Sequence, residues 1–179
     1  AGVGGQGVLS VAAIIAEAAR REGLFVKQGE VHGMSQRGGA VQAFLRIGGS
    51  PVRSDLVAEG TADMILSLEP IESLRYVRYL RPDGLLITSI DPVLNIPNYP
   101  AREEVEAMLR KVPQVEIVEA NALAKEAGSL LAANVVIVGA ASRFLPISAE
   151  TIEDCMREGW ARKGQRVVDF NIRAFRAGR

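Results

Sequence analysis

The sequence is poor in cysteine and histidine, and this shortage excludes several kinds of site. Cys155 is the only cysteine, so no intrachain disulfide can form, and we expect a reducing compartment, the cytoplasm. An iron–sulfur cluster normally takes four thiolates, and a structural zinc site takes several Cys and His ligands. Cys155 and His32, the only histidine, cannot supply either set. We therefore expect no metal site in this chain.

An excess of charge of one sign is also missing, and so are long hydrophobic runs. The 21 basic residues balance the 21 acidic ones, whereas nucleic-acid binders normally carry a strong basic excess. The longest apolar run, at 135–141, falls far short of the roughly 20 residues of a membrane helix. We expect neither a nucleic-acid partner nor a membrane partner.

What the chain does have is the pattern of an α/β protein. Hydrophobic residues make up 48% of its 179 residues, enough for a proper core. Strand-like segments lie at 24–27, 40–47, 64–68, 85–90 and 115–118. They alternate with helical segments at 8–22, 71–79, 102–111, 121–145 with an interruption at Gly128, from 148, and 167–175. Ser10 and Gly23 are expected to cap the first helix, and residues 82–84 to form a turn. We expect residues 1–179 to form a single three-layer α/β/α domain with a mixed, mostly parallel sheet.

The first motif is the glycine-rich segment GVGGQG at 2–7, in which Gly2, Gly4 and Gly7 match G-x-G-x-x-G at the start of a helix. Such a loop lets backbone approach a ligand, and the helix N-terminus favours an anion. A dinucleotide fold also requires an acidic residue at the end of the second strand. The residues there are Lys27 and Gln28, so ordinary NAD binding and a ligand-free tight turn both stay open.

The second motif is EVHGMSQRGG at 30–39, which is too long and too rich in glycine to be explained as a hairpin turn alone. His32 is either an acid or base near a substrate or a loop histidine bonded to backbone. Arg37 either holds an acidic or phosphate group, a contact worth roughly 1.5–3 kcal/mol, or ties the loop to the domain. Long loops on a rigid scaffold often carry binding function, so we expect this one beside the glycine turn.

The two motifs together resemble the gamma-type domain of pyruvate and ketoisovalerate ferredoxin oxidoreductases, in the 2-oxoacid:ferredoxin oxidoreductase family. The segment HGMSQRGG at 32–39 most resembles the sequence of the beta subunits of the family's indolepyruvate enzymes. The resemblance continues through VQAFLRIG at 41–48, NVVIVGA at 134–140, LPIS at 145–148 and NIRAFRAG at 171–178.

The resemblance implies a division of labour. A large partner would hold thiamine diphosphate and iron–sulfur clusters, oxidise the 2-oxoacid with coenzyme A as acyl acceptor, and pass electrons to ferredoxin. This chain would bind no cofactor by itself, although its glycine turn is a candidate contact for coenzyme A. The candidate cofactor-binding residues are Gly2, Gly4, Gly5, Gln6 and Gly7. The candidate loop facing the partner's active centre comprises His32, Met34, Ser35, Gln36, Arg37, Gly38 and Gly39.

Two functions of different class follow. The chain is either a non-catalytic subunit of such an oxidoreductase or a free-standing Rossmann-like nucleotide-binding or regulatory module. A subunit's gene should lie beside the gene of a much larger thiamine- and cluster-bearing chain, whereas a module's gene need not.

We predict that the isolated chain is colourless and does not oxidise 2-oxoacids. It lacks the thiolates for a cluster, and without thiamine diphosphate nothing stabilises the acyl carbanion. The measurement is an assay of the purified chain with indolepyruvate, coenzyme A and a viologen dye. Robust turnover without an added subunit would contradict the prediction.

Overall fold

The computed structural model describes residues 1–32 and 38–179. Strands and helices alternate along them, as expected for an α/β fold. The strands are β1 (Gly2–Val3), β2 (Phe25–His32), β3 (Ala40–Gly48), β4 (Ala62–Ser67), β5 (Leu80–Ser89) and β6 (Val115–Val118). The helices are α1 (Val8–Arg21), α2 (Pro70–Tyr76), α3 (Arg102–Leu109), α4 (Ala120–Ala127), α5 (Ala133–Ser142), α6 (Ala149–Trp160) and α7 (Gln165–Gly178). Within this described part, no helix combines the length and the apolar character that a membrane crossing needs.

The strands form an antiparallel group and a parallel group that meet at Ala1. In the first, β3 lies between β1 and β2; in the second, β5 lies between β4 and β6. The nitrogen of Ala1 donates to the Leu66 carbonyl at 2.6 Å, and the Leu68 N–H donates to the Ala1 carbonyl at 3.0 Å. This is the hydrogen-bond pattern of a parallel pair. The strand order is therefore β2-β3-β1-β4-β5-β6, and the expected mixed sheet is confirmed.

Helices cover the parallel strands on both faces, as the expected three-layer architecture requires. Successive side chains of a strand point to opposite faces, so β4 and β5 contribute to two cores. Ile65 and Leu86 face α2 and α3, where they pack with Val105 and Leu109. The opposite side chains pack in a larger core formed with α1 and α4 to α7, centred on α5.

The ends of α1 follow one expectation and contradict another. Gly23 has a φ of +77°, which suits glycine, and the N–H groups of Gly23 and Leu24 donate to the carbonyls of Arg20 and Ala19. These two bonds close the helix as a Schellman motif. The expected cap at Ser10 is wrong, because α1 begins at Val8 and its N-cap is Gly7, which has no capping side chain.

Two other expectations need correction. The second strand is not limited to 24–27: β2 reaches His32, because it pairs with β3 over eight residues, including Gly29 opposite Phe44. Residues 30–32, expected to lie in a loop, therefore belong to β2. Residues 82–84 are not a separate turn but part of β5, where a register shift against Ala62 and Met64 accommodates them.

Ion pairs join the outer helices. Glu153 of α6 is nearly buried and accepts hydrogen bonds from Arg176 of α7 at 2.7 Å and from Arg157 at 2.6 Å. The hydrogen bond from Arg176 is the main cause of a lowered pKa of Glu153, with Arg157 contributing. Arg21 of α1 bonds Glu158 of α6 at 2.7 Å, so α1, α6 and α7 are linked side by side.

Helices α5 and α7 pack so closely that each presents a glycine to the other. A Cβ at Gly139 would lie 2.0 Å from the Phe175 carbonyl oxygen, and a Cβ at Gly178 would lie 2.0 Å from the Val136 carbonyl oxygen. These carbonyl oxygens belong to the backbone, so they cannot rotate away from a Cβ as the end of a side chain would. The contact therefore requires glycine at both positions.

We predict that Gly139→Ala lowers the free energy of unfolding by about 3 kcal/mol, the upper end of the range for overpacked cores. Gly159→Ala is the matched control: it lies in α6, and a Cβ there meets nothing within 4 Å. The control should gain about 0.5–1 kcal/mol from helix propensity. Urea unfolding of both variants gives the comparison. A Gly139→Ala protein as stable as the parent would show that α5 and α7 lie farther apart.

Candidate functional site

The candidate site lies at the carboxyl edge of the parallel strands, where α/β folds commonly bind ligands. The glycine turn follows β1, residues 68–69 follow β4, and the segment 90–101 follows β5. Gly38 and Gly39 reach the same edge because β3 runs antiparallel to β1.

The glycine turn has an open side and a crowded side. Gly5 has a φ of +103° and Gly7 a φ of +89°, in the region that favours glycine. Nothing lies within 4 Å of a Cβ built on Gly5, whereas one on Gly7 would lie 2.5 Å from Nδ2 of Asn134. Gly5 is thus the residue of the turn that an incoming group can approach, and Gly7 is packed against the start of α5.

Gln6, expected to bind a cofactor, has its side chain engaged within the fold. Its Oε1 accepts from the Val3 N–H at 2.8 Å, and its Nε2 donates to the Leu68 carbonyl at 2.7 Å. A Cβ at Gly2 would lie 2.9 Å from Gln6 Oε1, which explains glycine at that position. Gln6 therefore ties the turn to the end of β4.

The structure brings the two sequence motifs together. The Gly4 N–H donates to the Gly39 carbonyl at 2.8 Å, and the Gly38 N–H donates to the Gly4 carbonyl at 3.2 Å. His32 ends β2 and pairs in register with Val41. Four other candidates, Met34, Ser35, Gln36 and Arg37, lie outside the described residues, and their roles stay predictions.

Glu69, a buried carboxylate at this edge, is not among the residues expected from the sequence. Its Oε2 accepts from the Glu72 N–H at 2.8 Å as the N-cap of α2, and its Oε1 accepts from the Tyr99 hydroxyl and the Val93 N–H. Burial, followed by the bond to Glu69, raises the pKa of Tyr99. The only signal in the sequence is Glu-Pro at the end of a strand, since Pro70 is well placed at the first position of a helix.

The candidate edge carries no charge over long stretches, although charged residues make up 23% of the chain. Segments 1–16, 92–101 and 127–142 contain no Asp, Glu, Lys or Arg. Two of these segments expose large aliphatic side chains near the turn. Leu94 is 76% exposed, and Leu131, about one helical turn before Asn134, is 85% exposed; Ile96 and Leu130 are exposed as well. Within ranges 1–32 and 38–179, the surface around the glycine turn is therefore poor in charge and partly apolar.

The site differs from a dinucleotide-binding fold in one decisive respect. In that fold the strand after the first helix lies directly beside the first strand, and its last residue binds the ribose. Here β3 is inserted between β1 and β2. With strands spaced about 4.8 Å apart, the end of β2 lies ~10 Å from β1. Glu30, the acidic residue of β2, is thus one strand too far from the turn.

The described residues offer no place for a metal or an iron–sulfur cluster. No group of three or more His, Cys, Asp or Glu side chains in ranges 1–32 and 38–179 is arranged to hold a metal ion. Cys155 is buried in α6, and burial raises the pKa of its thiol, which disfavours a reactive thiolate.

Comparison with known proteins identifies the family. The family model described as pyruvate ferredoxin/flavodoxin oxidoreductase matches residues 1–179. Indolepyruvate oxidoreductase subunit IorB from Archaeoglobus fulgidus is 42% identical, over 99% of this chain and 90% of its own length. The common gamma subunit of the pyruvate/ketoisovalerate oxidoreductases of Pyrococcus furiosus is 30% identical, over 88% of this chain and 82% of its own. The chain belongs to the pyruvate ferredoxin/flavodoxin oxidoreductase family.

Solved structures show the same fold. The gamma subunit of a keto/oxoacid ferredoxin oxidoreductase from Geobacter sulfurreducens is 27% identical with a TM-score of 0.70; the match covers 99% of this chain and 92% of that one. A 2-oxoglutarate:ferredoxin oxidoreductase from Magnetococcus marinus, solved with 2-oxoglutarate, coenzyme A and succinyl-CoA, is 23% identical with a TM-score of 0.77. There the match covers 99% of this chain but only 29% of the other, so in that enzyme the fold is part of a much longer chain.

Proposed function

We propose that this chain is the non-catalytic subunit of a 2-oxoacid:ferredoxin oxidoreductase that acts on indolepyruvate or a similar aryl pyruvate. The observation that carries the proposal is the 42% identity to an indolepyruvate oxidoreductase subunit over nearly the whole of both chains. The complex would convert the 2-oxoacid to an acyl-CoA and pass the electrons to ferredoxin.

The chemistry in this proposal belongs to a large partner subunit. Thiamine diphosphate would supply the acyl carbanion there, and iron–sulfur clusters would carry its electrons to ferredoxin. The present chain does not fit a cluster, because Cys155 is its only cysteine and lies buried. The single cysteine also fits a reducing location, and we place the complex in the cytoplasm.

In our proposal the carboxyl edge with the glycine turn faces the large subunit near its active centre. Its lack of charge and its exposed leucines support this, because permanent interfaces are more apolar than ordinary surface and poor in charge at their centre. The loop at 32–39 would join the same interface, with Arg37 making a charge-assisted contact to the partner.

We predict that Leu131→Asp weakens assembly with the large subunit at least tenfold, because it places a charge in an apolar interface. The melting temperature of the chain alone should change little, since the side chain is 85% exposed. Titration of the large subunit with the variant measures the affinity.

The matched control is Leu56→Asp. Leu56 is 57% exposed, and its carbonyl oxygen accepts from Arg46 of β3, away from the glycine turn. Assembly of the control should match that of the parent chain. If Leu131→Asp binds the large subunit as tightly as the parent chain does, the proposed position of the interface is refuted.

We further propose that the glycine turn contacts a phosphate of coenzyme A, or of the partner's cofactor. The open side of Gly5 and the first N–H groups of α1 support this, because backbone N–H groups at a helix start favour anions. Segments 1–16 and 127–142 carry no charge, so the backbone of the turn would supply the contacts that this part of the chain makes to the phosphate.

We predict that Gly5→Leu raises the Michaelis constant for coenzyme A several-fold in the assembled enzyme. Gly60→Leu is the control, because Gly60 also has a positive φ, +73°, and open space for a side chain, but precedes β4 at the opposite edge of the sheet. Gly5→Leu suffers the larger backbone strain, because a φ of +103° lies farther from the left-handed helical region than the +73° of Gly60; the melting temperatures of both variants are therefore measured beside the Michaelis constants. If Gly5→Leu and Gly60→Leu have the same Michaelis constant for coenzyme A, the role of the turn is purely structural.

A further inference from the structure

The segment 91–99, which follows β5, is fixed at both ends; we name it the β5 arm. At its start, the Asp91 carboxylate accepts from the Asn121 N–H at the beginning of α4, at 2.8 Å. At its end, the Tyr99 hydroxyl donates to the buried Glu69. Val93 also donates its N–H to Glu69, at 3.4 Å. These contacts join the arm to two helices and to the end of β4.

The middle of the β5 arm reaches the glycine turn through one side chain. The Asn95 Nδ2 donates to the Gly38 carbonyl at 2.7 Å, across 57 positions of sequence. The Asn95 N–H donates to the Val93 carbonyl at 2.8 Å, so the arm bends sharply at this residue. The nitrogen of Gly38 in turn bonds to Gly4. A continuous path of hydrogen bonds therefore runs from Glu69 through the arm to the turn.

We propose that Asn95 is a positioning residue, which holds Gly38 and Gly39 against Gly4 and thereby fixes the glycine turn. Gly38 has a φ of +76° and no side chain, so its position depends on the bonds of its backbone. Two of those bonds are described: one to Gly4 and one to Asn95. The arm can act as a fixed support because Glu69 and Asp91 hold it.

A contribution to the global stability of the fold does not explain the hydrogen bond of Asn95 to Gly38. Its side chain lies at the surface and contributes nothing to either core, so its loss should leave global stability unchanged. A net hydrogen bond is nevertheless worth enough to change a local opening equilibrium by about two- to twelvefold. The expected effect is thus confined to the glycine turn.

The test is amide hydrogen exchange of the full chain carrying Asn95→Ala. We expect the amides of Gly4 and Gly38 to exchange about two- to twelvefold faster, while the exchange of the α5 amides and the melting temperature stay as in the parent. Asn95→Asp keeps the size but removes the donor, so its exchange should be at least as fast. Asn98→Ala is the control: it lies in the same arm, and its side chain makes no hydrogen bond to the described residues. Parent-like exchange in Asn95→Ala would overturn the proposal.

A second measurement rests on the proposed function, and its outcome is independent of the hydrogen-exchange result. In the assembled enzyme, Asn95→Ala should raise the Michaelis constant for coenzyme A or weaken assembly, with kcat unchanged, because only the position of a binding surface changes. Faster exchange with unchanged affinities would leave Asn95 as a positioning residue and refute the role proposed for the edge. Unchanged exchange would refute the positioning role whatever the Leu131→Asp variant shows.

Discussion

The close contact between α5 and α7 is the constraint on which the rest of the structure depends. Residues 135–142 of α5 are buried, and Gly139 and Gly178 let its backbone approach that of α7. This places α5 directly beneath β4 and β5, with the other helices of that layer around it. The first turn of α5 then brings Asn134 against Gly7. The position of the glycine turn thus follows from packing in the core as much as from the turn's own sequence.

Much of the fold could be predicted because its signals are local. The strand-like segment at 40–47 predicted β3, and Gly23 predicted the end of α1. The helix expected from 148 is α6, with Ser148 as its N-cap. The length of β2 could not be predicted, because pairing with β3 outweighs the weak strand propensity of Gly29. The same holds for residues 82–84, whose place in β5 depends on a neighbouring strand.

The candidate site was predictable only in part, for a related physical reason. The two glycine motifs meet at Gly4 and Gly38, as their shared edge suggested. Asn95 and Asn134 carry no chemical signature in the sequence, and Glu69 only a weak one in Glu-Pro, because each contacts a partner 24 or more positions away. Gln6 was expected to bind a ligand, and this stays a prediction; the structure shows its amide bonded to Val3 and Leu68. A polar residue in a glycine-rich motif can thus also serve the motif itself.

Strand β1 bonds in opposite senses on its two sides, antiparallel to β3 and, through Ala1, parallel to β4. Four residues then lead to the start of α1 at Val8, and Gln6 is bonded both within this stretch and across to β4. An added or lost residue between Val3 and Val8 would displace Gln6 from one or both of its partners and turn α1 by about 100° about its axis relative to β1. Related chains can therefore differ in the side chains around this edge. The number of residues between β1 and α1, however, is expected to stay constant among them.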